Sequence, residues 1–219
     1  IVLSLIACVI LLVSYLVFHI IFYVPSRIVQ NADEIILPPG RIYEPFYNQM
    51  RDWVIEARNT PYENGSILSY DGLRLSGKYY EYAPGAPVEL MFHGYRGSAE
   101  RDLAGGMHRA FKLGHSALIV DQRTAGGSEG NVISFGINEH RDCLRWLEFV
   151  INYLGSDCKI ILTGISMGAS TVLMAAGRKL PENVIGVLAD CGFHSAKDVI
   201  CFVVAGMHLP AKLLYPFVK

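Results

Sequence analysis

Three observations predict an α/β protein, a mostly parallel sheet with helices on both faces behind an N-terminal transmembrane helix. From Val88 onward, short apolar runs such as Val88–Phe92, Ser116–Asp121 and Val184–Ala189 alternate with longer stretches of helical period. Strands buried on both faces read this way, because parallel crossovers cover each face with helices. Residues with chemistry collect just after those runs: His93-Gly94, Asp121-Gln122-Arg123, Ser166 and Asp190. Strand ends are where such sheets carry their sites. Finally, the chain opens on an almost unbroken apolar stretch, Ile1 to Val24.

That opening stretch is interrupted only by Ser4, Ser14 and His19, besides Tyr15 and Tyr23. As a helix it measures about 36 Å, enough for a hydrocarbon core of about 30 Å. Tyr23 suits a membrane boundary, and Pro25 with Arg27 closes the span. A cleaved signal peptide would have a shorter apolar region and an Ala-x-Ala site, which is missing. A buried core helix would show a polar face. The expectation is a single-pass anchor over 1–24. Arg27 and Arg41 follow it with Asp33 and Glu34 between them, which leaves the side of the membrane open.

Residues 25–65 read as a juxtamembrane linker and an amphipathic helix. The linker ends in Pro38-Pro39-Gly40. Tyr43 to Arg58 carries Phe46, Met50, Trp53, Val54 and Ile55 at helical spacing. Asn64-Gly65-Ser66 is formally a glycosylation sequon and also a tight turn before a strand, and the turn has more weight.

Residues 66–219 form the main domain. Ile67–Tyr70, a turn at Asp71-Gly72, and Leu73–Tyr82 read as a hairpin. Val88–Phe92 is a buried strand. Ser98 caps a helix to Leu113, with Glu100 and Asp102 near its positive end. Ser116–Asp121 is the next strand. Asn138 to Leu154 is a helix, with Glu139, His140, Arg141 and Asp142 as a solvated first turn. Lys159–Leu162 is a strand, Ala169–Ala176 a helix of small residues, and Val184–Ala189 another strand. Ala196 to Val218 is apolar and starts a cap over the site.

Composition excludes several classes. Of 219 residues 52% are hydrophobic, the net charge is −1 and there is no long basic run, so nucleic acid is not a partner. The five cysteines form no Cys-x-x-Cys pair and read as reduced, buried hydrophobes. The seven histidines lack ligand spacing, so no metal is expected.

Gly164-Ile165-Ser166-Met167-Gly168, between a strand and a helix, carries the chemistry. Glycines beside the serine permit a sharp turn that lifts its hydroxyl above the sheet. With His93-Gly94-x-x-Gly97-Ser98, Asp121-Gln122-Arg123 and Arg123-x-x-Gly126-x-Ser128, the chain resembles the α/β-hydrolase superfamily, in particular its membrane-anchored, serine aminopeptidase- or esterase-like branch. The likeness runs from Ser66 to the C-terminus. It implies Ser166 as nucleophile and the N–H groups of Met167 and Tyr95 as an oxyanion hole. Gly94, Gly164 and Gly168 support that geometry. His93 shapes its loop and is not the base, and Arg123 paired with Asp121 braces the oxyanion loop. Thr124 and Ala125 stand where the commoner pattern has Gly and His.

The resemblance also implies an acid and then a histidine after the serine. Asp190 sits where a few relatives keep their acid, although that position more often supports the site, and neither His194 nor His208 sits where the base is expected. An acid and a histidine are therefore looked for beyond Lys219, and residues 1–219 alone are expected to be inactive. The function implied is hydrolysis of an ester, thioester or amide through an acyl-enzyme, with a small acyl or peptide substrate and no cofactor. A peptidase of the same fold and a non-catalytic binding module stay as alternatives.

Overall fold

A computed structural model describes residues 2–25 and 34–218. Arg27 and Asp33, weighed above for orientation, and Lys219 lie outside them. The first element, α1 (Val2–Ile21), is long and apolar enough to cross a membrane. A single 3₁₀ turn (Glu44–Phe46) precedes α2 (Tyr47–Asn59). The hairpin follows as β1 (Glu63–Leu68) and β2 (Arg74–Tyr80), then β3 (Val88–Phe92), α3 (Ala99–Lys112), β4 (Ser116–Val120), α4 (Glu139–Leu154) and β5 (Ile160–Ile165). The chain continues through α5 (Met167–Ala176), β6 (Val184–Asp190), α6 (Ala196–Gly206) and α7 (Ala211–Val218).

The six strands lie in the order β1-β2-β4-β3-β5-β6. β1, β2 and β4 pair antiparallel, while β4, β3, β5 and β6 are parallel neighbours. Every residue of β3 and β4 is buried, as central parallel strands require. One face packs Trp146, Leu147 and Val150 of α4 and Val172 of α5. The other packs Val54 and Ala57 of α2 with Leu103, Met107 and Ala110 of α3. Helices therefore cover both faces, as predicted.

Several local expectations change. Asn64-Gly65-Ser66 is not a turn but part of β1, because Asn64 and Gly65 pair with Lys78 and Gly77 and extend the hairpin ladder. Glu139, His140 and Asp142 are buried rather than solvated, since each finds partners inside. Glu139 accepts from Ser134 N–H and Gly136 N–H, both at 2.8 Å, and His140 Nδ1 meets Gly136 O at 3.0 Å. Of the cysteines, Cys143 is buried but Cys8 and Cys191 are exposed. Glu89, inside the apolar β3, is buried against Arg109, His115 and Thr163, at the strand end away from Ser166.

α1 is not free of the rest. Val17, Ile21 and Phe22 are buried with Phe135, Ile200 and Val204 of α6, and Leu214 of α7. Its earlier turns expose Leu3, Val9 and Leu12.

Candidate active site

Ser166 sits between β5 and α5 with φ 53 and ψ −117. An L-residue reaches this region only under constraint, at a cost of about 1–3 kcal/mol. Two close approaches supply the constraint. A Cβ on Gly164 would lie 2.2 Å from Gly168 O, and one on Gly168 would lie 2.1 Å from Phe92 O. No side chain larger than hydrogen fits at either place, so the two glycines clamp the turn against itself and against the end of β3. Ser166 N–H donates to Asp190 O at 2.8 Å, fixing the turn to β6 as well. The serine therefore stands at the N-terminus of α5, with the Met167 N–H beside it at the positive end of that helix.

The loop after β3 lies against the serine. A Cβ on Gly94 would stand 3.5 Å from Ser166 Cβ. Gly94 N–H donates to Asp102 Oδ2 at 3.1 Å, so the first turn of α3 grips this loop. Asp102 thus does more than face a helix end. Ser98 caps α3 as predicted, accepting from Arg101 N–H.

His93 is buried and fully used. Its Nε2 faces the Gln122 N–H at 3.0 Å, and its Nδ1 faces Gly94 O at 2.8 Å. A backbone N–H can only donate, so Nε2 accepts and Nδ1 carries the proton that Gly94 O receives. Gln122 Nε2 returns a bond to His93 O at 2.6 Å. Neither ring nitrogen has a lone pair left for the serine.

Arg123 and Asp121 do not pair, contrary to the expectation. Arg123 is buried and bidentate on Asp142, with both bonds at 2.8 Å, and it also reaches Asp71 at 3.1 Å. It joins the β1–β2 turn to α4 rather than bracing the loop of Tyr95. Burial pushes the Asp142 carboxyl up, to about 6, against the pull of the Arg123 bonds. Burial also raises Asp71, but there the bonds from Arg123 and Ser69 win and hold it below the usual carboxylate range. The brace is Asp121 itself, which accepts from Ala99 N–H at 2.9 Å and from Gly127 N–H at 3.1 Å. Side chains of opposite charge close in sequence invited the pairing, and nothing local signalled the distant partners.

Strain gathers here. Among the described residues six side-chain-bearing positions have positive φ, and Arg96, Thr124, Phe135, Ser166 and Cys191 all lie in loops leaving the carboxyl ends of strands. Thr124, where the commoner pattern has Gly, has φ 75, which explains why Gly is favoured there.

The other histidines are placed elsewhere. His194 is exposed and meets Asp198 at 3.1 Å, His108 meets Glu56, His115 meets Glu89, and His19 meets Tyr15 O. Among the described residues, no histidine or carboxylate hydrogen-bonds Ser166 Oγ. Asp190 touches the serine through its backbone carbonyl.

No protein-family model matches the chain. Over 111 residues it is 32% identical to YqkD of Bacillus subtilis, itself an uncharacterized protein; the match spans 50% of this chain and 36% of YqkD. Among solved structures it is similar to the esterase Pf2001 of Pyrococcus furiosus, with TM-score 0.63 and 20% identity over 89% of this chain and 69% of that one. It is similar also to the α/β hydrolase GrgF of Penicillium sp. sh18, with TM-score 0.55 and 20% identity over 68% of this chain and 53% of that one. The chain has the α/β-hydrolase fold.

Proposed function

We propose that this chain is a membrane-anchored serine hydrolase that cleaves an ester, thioester or amide through an acyl-enzyme on Ser166. One observation carries the reading: Ser166 is forced to φ 53 between Gly164 and Gly168, at the junction of β5 and α5. That turn exposes a nucleophile at the top of the sheet. In the reaction Ser166 Oγ attacks the acyl carbon and a base takes its proton. The carbonyl oxygen becomes an oxyanion, which the N–H groups of Met167 and Tyr95 hold. Each such donor contributes about 3 kcal/mol to the transition state. Collapse expels the alcohol, thiol or amine, and water then releases the acid.

His93 is not the base, since both its nitrogens are committed. Serine without a base is a weak nucleophile. Among the described residues no acid–histidine pair stands at Ser166, and on the β6 side Ile185, Val187 and Leu188 are exposed. α1 supplies the membrane attachment. The substrate is a small acyl compound or a peptide, and serine, imidazole and backbone N–H groups suffice without a cofactor. That no described residue stands as a base at Ser166 favours a second reading, a non-catalytic module of the same fold.

Turnover of p-nitrophenyl esters and peptide anilides by the full-length protein separates these readings. Ser166→Ala is expected to lower kcat by about a thousandfold or more. Preference for the anilides marks a peptidase. No turnover of any acyl substrate by the wild type supports the module.

A further inference from the structure

The last turn of α1 and the loop after β3 are bonded to each other in a way that a simple tether does not require. Tyr95 Oη donates to Ile21 O at 2.6 Å. Arg96 Nη2 donates to Ile20 O at 2.7 Å and to Tyr23 O at 3.3 Å. These carbonyls lie at a helix C-terminus, where acceptors lack partners within the helix and partial negative charge favours a guanidinium. The Tyr95 ring stacks on Phe135 with centroids 5.2 Å apart. Arg96 has φ 51, a conformation that persists only when its surroundings hold it. Beyond the helix, Val24 N–H donates to Asn131 O at 2.8 Å and Ile133 N–H to Phe22 O at 2.9 Å. The same segment walls a cavity of about 220 Å³ beside Met167, with Tyr23, Pro25, Arg96, Thr124 and Ile133 among its lining.

Given the assignment of Ser166, on which this rests, the geometry points to the C-terminal turn of α1 as a positioning element of the oxyanion hole: the carbonyls of Ile20, Ile21 and Tyr23 fix the Tyr95 and Arg96 side chains, and through them the Tyr95 N–H. A donor aimed at an oxyanion must be held to within about 0.5 Å, and a misplacement of about 1 Å can cost about a hundredfold in rate. The loop itself is short and strained, so outside contacts set its position. Gly94 is gripped by Asp102 from α3 and Tyr95 by α1, on either side of one peptide. The membrane helix is then part of the site it tethers. Tyr95 and Arg96 act through their side chains as positioning residues, and the proposed chemistry stays with the Tyr95 N–H.

The test uses the full-length protein in detergent micelles, with p-nitrophenyl ester turnover and the rate of fluorophosphonate labelling as readouts. Tyr95→Phe keeps the ring on Phe135 and removes only the donor to Ile21 O. Arg96→Met removes the donors to Ile20 O and Tyr23 O. Each variant is expected to lower kcat and the labelling rate by about tenfold to a hundredfold, with KM and Tm close to wild type. Wild-type kcat in both overturns the inference, as does a loss matched by a fall in Tm and in folded protein. If Ser166→Ala abolishes turnover while these two variants keep it, the inference alone fails. If Ser166→Ala keeps turnover, the reading of Ser166 fails and takes the inference with it.

Discussion

Ser166 has two unlike neighbours. Toward β3, the loop of His93 to Ser98 is held from three directions: by Gln122 through His93, by Asp102 through Gly94, and by α1 through Tyr95 and Arg96. Toward β6, the strand's outer residues Ile185, Val187 and Leu188 are exposed, and Asp190 contributes only a backbone carbonyl. The contrast separates two jobs. An oxyanion hole works by being fixed before charge develops, and under the proposed function the firmly held loop is the side that takes this job. Proton transfer needs a base within hydrogen-bond reach, and on that side no described residue supplies one.

The sharpest break of the contrast is a methyl group on either side. Gly168→Ala puts a Cβ against Phe92 O, Phe92 C and His93 O, all backbone atoms that cannot swing aside. A loss of about 5 kcal/mol is expected, at the extreme for one substitution, read as a collapse of Tm or of folded yield. A near-wild-type Tm would mean that the loop after β3 yields, contrary to the clamped geometry.

Arg123→Leu tests the support beneath the site and is expected to cost about 3 kcal/mol at pH 7.5, because it leaves the Asp142 carboxylate buried without its cation. The pH dependence has a definite sign. Asp142 already titrates above its unfolded value, near 6, and losing Arg123 raises it further. The folded variant then keeps a proton that the unfolded chain has released, so its stability falls as pH rises. Denaturation of wild type and variant at pH 5 and pH 8 should show the smaller gap at pH 5. A gap independent of pH would assign the loss to packing instead.

The smallest effect belongs to β6. A Cβ on Gly186 meets nothing within 4 Å, so Gly186→Ala in residues 1–219 should change stability by no more than about 1 kcal/mol, toward greater stability. A loss of several kcal/mol in thermal melts would show a covered β6 and erase the contrast.

The sequence exposed the local half of this account. Val88–Phe92 and Ser116–Val120 are continuous apolar runs, and Gly164-x-Ser166-x-Gly168 joins a run to a helix, so strand, turn and nucleophile candidate are all readable within a few residues. The hairpin turn at Asp71-Gly72 is readable for the same reason. What was not readable is long-range. Arg123 finds Asp71 and Asp142 across the fold, although Asp121 is nearer in sequence. The polar start of α4 looked solvated because its partners, Ser134, Gly136 and Arg123, lie outside the helix. Tyr95 meets Ile21 across 74 positions, and no periodicity records such a bond. Asn64 to Ser66 has turn composition, and only the ladder with Lys78 and Gly77 makes it a strand.

The most direct test is to map the covalent adduct. Full-length protein is treated with a fluorophosphonate, digested, and its peptides weighed. The phosphonate mass is predicted on the tryptic peptide that contains Ser166, and Ser166→Ala should abolish it. An adduct on another residue, or none while the protein hydrolyses acyl substrates, would contradict the assignment of Ser166 as the nucleophile.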